Sequence, residues 1–372
     1  MRIGIYDQRS GTEESGGTEV FIRGMAGKLA NEHDIILYTQ AGDLLEEVVE
    51  MDIKVVQVPR LTNAQYITKH LAAKTPLKSA EIGSVSMYLS ARINGIFEQM
   101  AEKVDVVSTH YYLDNILISR SVDLPSIFRF AGIKQPSPRW AAMERFAKPD
   151  MYLANSRSTA ERVQRWYDIS IEGIVYAGVE RDQFYFDRTY EVADPMTILF
   201  VGRIDQGKGL YDLLEAIALL DRADVEARIV GDGPLKSDLQ SCAESLEIAD
   251  QVSFPGPVPH DAVHKEYTEA DIFCLPSHHE SLGLVNIEAM LSGLPVISTS
   301  IDAIKEYITH EKTGLLVDSE DVSALANALD RLTKSIELRR ELGEAGQRAA
   351  EGYTVEACAE AMIKMYRRAI EV

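Results

Sequence analysis

Glu280 and Glu288 stand in the run Asp271-Ile-Phe-Cys-Leu-Pro-Ser-His-His-Glu280-Ser-Leu-Gly283-Leu-Val-Asn-Ile-Glu288, the part of the chain whose residue types are best suited to chemistry. A short apolar strand, Ile272–Leu275, passes into a polar turn and a glycine and then into an amphipathic helix. One carboxylate therefore precedes the helix start and the other sits on its second turn. A helix start leaves backbone N–H groups unpaired and carries partial positive charge, which suits a diphosphate. Helical side chains lean toward the N-terminus, so Glu288 can accept two hydrogen bonds from a vicinal diol such as ribose. The segment reads as a nucleotide pocket, although two neighbouring carboxylates also suit a glycosidase, and His278-His279-Glu280 contains the His-x-Glu of a zinc site.

A second loop supplies cations. Leu199-Phe-Val-Gly202-Arg203-Ile-Asp-Gln-Gly207-Lys208-Gly209 follows an apolar strand and matches the Gly, four residues, Gly-Lys of a P-loop. Gly209 stands where a P-loop needs Ser or Thr to hold magnesium, which argues against an NTPase. An arginine and a lysine remain, able to neutralise a leaving diphosphate by a forked contact and a point charge without a metal. The zinc reading fails because no Pro-Cys-x-x-Cys accompanies the His-x-Glu, and adjacent histidines in an extended turn point apart. A dehydrogenase is set aside because no Gly-x-Gly-x-x-Gly follows the first strand of either half. In the first half, Gly16-Gly17-Thr18-Glu19 opens a helix after the first strand, and His110 ends the strand Val104–Val107; a turn glycine and a structural histidine are the plainer readings of each by itself.

The elements that position these residues alternate between strand and helix. Apolar runs at Ile3–Tyr6, Ile35–Tyr38, Val55–Val58, Val104–Val107, Ser126–Phe130 and Met151–Ala154 are separated by stretches of helical period, which predicts a parallel α/β domain. A second series follows at Thr197–Val201, Ala227–Val230, Gln251–Phe254, Ile272–Leu275, Pro295–Ser298 and Gly314–Val317. Between the series, residues 181–195 have neither period and end at a proline, as a linker does. The expected domains are residues 1–187 and 188–354, with a last helix over 355–372 packing back on the first. Two such domains would face each other across a cleft at the carboxyl ends of their strands.

Composition bounds the rest. The 372 residues, 46% hydrophobic, suffice for two cores. No apolar run approaches the ~18 residues of a membrane span, and Met1–Asp7 reads as a buried strand rather than a signal peptide. A cytoplasmic protein is expected. Three cysteines follow no ligand spacing and read as thiols. The net charge of −20 is uneven: residues 1–150 carry 17 Lys and Arg against 19 Asp and Glu, the remainder 21 against 39. Such acidity argues against nucleic acid as a partner. Within the first half, Arg60, Lys69, Lys74, Lys78 and Arg92 face only Glu81 in a segment that also holds Tyr66, Met87, Tyr88 and Leu89. This mixed basic and apolar stretch is either a solvated face or a seat for an anionic membrane or a phosphate-bearing acceptor.

Taken together, Gly202-Arg203 with Lys208-Gly209, Val230-Gly-Asp-Gly-Pro234, Val252-Ser-Phe-Pro-Gly256, Ser277 through Glu288, Gly293-Leu-Pro-Val296 and Thr313-Gly-Leu-Leu-Val317 resemble the retaining glycosyltransferases of family four, the group 1 glycosyltransferases. Fainter echoes stand at Gly16-Gly17, Asn155-Ser156 and Tyr176–Glu180. The resemblance implies the GT-B architecture of two Rossmann-like domains. It implies that Arg203 and Lys208 hold the donor diphosphate beside Gly202, with the backbone of Ser281, Leu282, Gly283 and Leu284 completing the cradle. Glu288 would bind ribose, Glu280 the donor sugar, and His110 with Gly16 and Gly17 the sugar from the first domain, while the backbone at Pro257-Val258 reads the base. No metal and no cofactor are implied; the nucleotide-sugar, UDP- or GDP-linked, is a substrate, and the leaving phosphate deprotonates the acceptor. Two departures stand out: Leu282 replaces a more usual Phe, and Asp302-Ala303 replace a Gly-Gly pair before Glu306, so 302–306 are left out of the site. The expected reaction is hexosyl transfer to a lipid-linked saccharide in surface glycan synthesis, peripheral at the inner face of the membrane. An activator subunit of another transferase and a nucleotide-sugar epimerase are the alternatives.

Overall fold

The computed structural model describes the chain apart from residues 13–16, 62–78, 133–136, 138–140, 142–145, 192 and 372. It divides into two compact units, residues 1–178 with the C-terminal helix from Val355, and Val179–Thr354. Each is a doubly wound sheet.

In the first unit, β1 (Arg2–Tyr6), β2 (Asp34–Gln40), β3 (Lys54–Val58), β4 (Val106–Thr109), β5 (Ser126–Phe130), β6 (Met151–Ala154) and β7 (Gly173–Ile174) form one sheet in the order β3-β2-β1-β4-β5-β6-β7. All pairs are parallel. Strands covered by helices on both faces are largely apolar, and every residue of β4 and β5 is buried, Ser108, Thr109, Ser126 and Arg129 included. The chain order runs outward in one direction from β1 and in the other from β4, so the connections diverge there and leave a crevice at the carboxyl ends of these two strands. Asp7 follows β1, and His110 follows β4. The terminal helix Val355–Glu371 closes this unit: Tyr366 shares a 2.9 Å hydrogen bond with Ser108 of β4, and Glu356 pairs with Lys28.

The second unit repeats the plan with β8 (Met196–Val201), β9 (Val225–Val230), β10 (Val252–Gly256), β11 (Ile272–Leu275), β12 (Val296–Thr299) and β13 (Leu315–Val317), in the order β10-β9-β8-β11-β12-β13. The switch falls between β8 and β11, whose carboxyl ends lead into the Gly202–Gly209 loop and the Pro276–Gly283 turn. The division between units comes at Gly178, earlier than the break in periodicity near Asp187 suggests. The cause is the packing of the irregular segment after it. Arg188 donates to Ser292 O at 3.0 Å, Ala270 O at 2.7 Å and Tyr267 O, and Tyr190 donates to Gly293 O at 2.7 Å. What lacks period along the sequence is thus held by the second core.

Candidate active site

The site of the second unit begins with Gly209, whose φ of +64° closes the short turn Gln206–Lys208. A Cβ there would lie 2.0 Å from Pro276 O. The loops after β8 and β11 therefore touch at this glycine, and the serine or threonine of a P-loop has no room. His278 N–H donates to Gly207 O at 2.9 Å, a second tie between the loops.

The contact brings Lys208 to Glu280. The ammonium reaches Oε1 at 2.5 Å, and Ser277 Oγ donates to the same oxygen at 3.0 Å, with side-chain exposures of 22% for Lys208 and 10% for Glu280. The two residues assigned to separate parts of a donor thus share one partly buried ion pair, where one ligand can meet both. Arg203 stays outside that pair: its side chain is 73% exposed and lies 3.6 Å from Asp205. An exposed guanidinium beside one carboxylate keeps donors for an anion.

Gly283, at φ +79°, ends the turn and starts the helix Leu284–Leu291. Tyr307 fastens the turn from beneath, its hydroxyl donating to Leu282 O at 2.7 Å while Asn286 Nδ2 donates to it at 3.0 Å. With the carbonyls held, the first N–H groups of the helix are left without intrahelical acceptors and form an anion seat. Leu282 is buried and Ser281 half-buried. Glu288 is 7% exposed, and Tyr267 donates to its Oε2 at 2.6 Å. Burial raises its carboxyl above the usual range, opposed by the bond from Tyr267. Val258, half-buried, follows β10 and so lies at the same carboxyl edge of the sheet.

Several supports escaped the sequence. Tyr267 has no spacing relation to Glu288, and Tyr307 lies just past the Asp302–Glu306 stretch left out of the site. His278 was weighed only as a metal ligand, yet its Nε2 lies 2.8 Å from Asp212 Oδ2 whereas His279 is exposed. Among the described residues no cluster of His, Cys, Asp and Glu could hold a metal.

In the first unit, His110 is 5% exposed and lines a cavity of about 210 Å³ at the carboxyl ends of β1, β4 and β5. Phe21 meets its ring edge to face, centroids 6.0 Å apart, and the Arg129 guanidinium lies 4.0 Å from the Phe21 centroid. Burial, and then the Arg129 charge, push the imidazole down to about 3, so it is neutral. Neither ring nitrogen has a hydrogen-bond partner among the described residues. Gly17 opens the helix Gly17–Ala30, and Gly16 lies outside the described residues.

Two doubly wound units of this kind, over nearly the whole chain, are the GT-B architecture. The likeness to solved structures bears this out: HepE of Anabaena in complex with UDP and glucose superposes with a TM-score of 0.77 at 17% identity, covering 99% of this chain and 100% of that one. A sucrose-phosphate synthase from Thermosynechococcus elongatus gives 0.77 at 21% identity, covering 99% and 98%. Residues 182–349, nearly the whole of the second unit, match the family model for Glycosyl transferases group 1. Among curated proteins it is similar to the D-inositol 3-phosphate glycosyltransferases of Corynebacterium urealyticum, 27% identical over 97% of this chain and 92% of that protein, and of Thermobifida fusca, 27% identical over 97% and 90%.

Proposed function

We propose that the protein transfers a hexose from a nucleotide-diphospho-sugar, with retention and without a metal, to a hydroxyl of a lipid-linked saccharide used in a surface glycan. The carrying observation is the Lys208–Glu280 pair, held at 2.5 Å where the loops after β8 and β11 meet. A diphosphate on the Gly283–Leu284 helix start would draw the Lys208 ammonium and Arg203, and a sugar beyond it would take Glu280 through its hydroxyls. Glu288, buried beside Tyr267, suits the ribose diol. The C–O bond to the diphosphate breaks as the acceptor oxygen forms its bond to the same face of the anomeric carbon, and the acceptor proton passes to the leaving phosphate oxygen. Lys208 and Arg203 stabilise the charge that accumulates there.

Solved structures of similar fold hold UDP and UDP-glucose, which favours a nucleotide-sugar here. A thermal-shift screen across UDP- and GDP-sugars tests the donor. A donor at a hundred times its Kd adds ~2.7 kcal/mol, and no stabilisation by any of them refutes the reading. Proton NMR of the first-formed anomer tests retention, and persistence of turnover in EDTA tests metal independence. Free nucleotide released only when an acceptor is present separates a transferase from an activator subunit or an epimerase.

A further inference from the structure

Glu288 sits where a carboxyl group readily loses its charge. It is buried on the helix Leu284–Leu291, and burial favours the neutral acid. A neutral carboxyl gives up one oxygen as a donor, whereas a vicinal diol brings two hydroxyls that seek acceptors. Some other group must then hold Glu288 as an acceptor. Among the described residues the donor to this carboxyl is Tyr267, whose hydroxyl reaches Oε2 at 2.6 Å. Tyr267 is itself fixed from three sides. Fully buried on the short helix His264–Glu269, its ring meets Phe184 edge to face with centroids 5.5 Å apart and Phe273 of β11 at 5.7 Å, and its carbonyl accepts from the Arg188 guanidinium. Burial, and then the Glu288 charge, push its hydroxyl far above the ordinary range, so it remains a donor.

We propose that Tyr267 is a positioning residue for donor binding, its hydroxyl fixing Glu288 Oε2 and leaving Oε1 to the ribose diol, which rests on the glycosyl-transfer reading above. The same bond governs charge. Burial raises the Glu288 carboxyl, while the Tyr267 hydrogen bond and after it the His260 charge draw it back. His260 follows β10, its carbonyl accepting from Gln183 at 2.5 Å. Of the other elements packed on the Glu288 helix, the short helix Arg181–Phe184 directs Arg181 over the Tyr185 ring, 4.0 Å from its centroid, and the helix Ile336–Ala350 brings Gln347, which donates to Leu291 O at 2.8 Å. β11 carries Cys274, whose thiol burial pushes up and keeps protonated. Without the Tyr267 hydroxyl, Glu288 stays protonated to higher pH, and the pocket loses its acceptor from the acid side.

Tyr267→Phe keeps the ring and the carbonyl contact and removes only this donor. In the ligand-free full chain, with 13C at the glutamate carboxyl carbons, the NMR signal that Glu288→Gln abolishes is that of Glu288. Its titration should move about one to two pH units higher in Tyr267→Phe, the size of one hydrogen bond to a carboxylate. UDP-glucose affinity by calorimetry should fall by up to about ten- to hundredfold on the acid side, the same shift read in binding, and the deficit should shrink as pH rises. Glu288→Gln cannot ionise there, so Tyr267→Phe should add no pH dependence to it. A Glu288 titration left unmoved by Tyr267→Phe overturns the inference, as does a loss of affinity equal at every pH, which is what a merely structural tyrosine would give. Failure of the wild type to bind any nucleotide-sugar overturns the donor reading instead, and the ligand-free titration still decides what Tyr267 does to Glu288.

Discussion

Glu288 and His110 show what burial does to a single ionisable group. Glu288→Ala removes a buried carboxylate that two ribose hydroxyls would meet, and a charge-assisted bond contributes ~1.5–3 kcal/mol. UDP-glucose affinity measured by calorimetry should therefore fall roughly ten- to hundredfold, and an unchanged Kd would remove Glu288 from the site. His110 affects stability in acid. Its imidazole protonates near 6.5 in the unfolded chain but only at about 3 in the fold, so the unfolded state takes up the extra proton as pH drops between these values. Its contribution is complete above 6.5 and is lost at about 1.4 kcal/mol per pH unit below that. Glu288 and Asp114, both raised by burial, act in the opposite sense, so the comparison must be with a variant. Between pH 7.5 and 4.5, His110→Gln should lose roughly 5–10 °C less in Tm than the wild type. Equal losses would mean that the imidazole is not held neutral.

At the scale of elements, the site is made by loops that only touch because glycines permit it. Gly209→Ser recreates a P-loop sequence, yet its Cβ would stand 2.0 Å from Pro276 O at a φ of +64°. The expected outcome is a displaced Gly202–Gly209 loop, loss of the Lys208–Glu280 contact and at least tenfold weaker UDP-glucose binding, with no magnesium dependence gained. Wild-type affinity in this variant, or a new magnesium requirement, would show that the two loops are not in the arrangement described.

For the molecule as a whole, charge is partitioned: most of the −20 lies after residue 150. On the helix Ser79–Ile93, Leu89 and Ile93 are 45% and 74% exposed with Arg92 between them. Lys69, Lys74 and Lys78 lie outside the described residues. These features support a membrane-facing surface on the first unit, in keeping with a lipid-linked acceptor. Co-sedimentation with phosphatidylserine vesicles should fall as salt rises, and reversing the three lysine charges should reduce it at least tenfold, at ~1 kcal/mol for each lysine removed near the surface. Unaltered sedimentation would dismiss the membrane reading. No helix among the described residues is long and apolar enough to cross a membrane.

The sequence by itself determined the two series of strands, because apolar runs with both faces covered leave a periodic trace wherever they fall in the chain. Periodicity located β1 to β6 and β8 to β13 to within a few residues and, among the described residues, missed only the two-residue β7, too short to have a period. Local motifs also marked Glu280, Glu288, Arg203 and Lys208. Tertiary structure alone decided which of these meet: Lys208 and Glu280 do, across a contact between loops 72 residues apart, while Arg203 remains in solvent. It also decided that Arg188 belongs to the second unit, that Tyr307 holds the turn before the helix while Tyr267 holds the Glu288 carboxylate, and that His110 is neutral. These are facts of burial and of distance between segments remote in the chain, and no local spacing carries them.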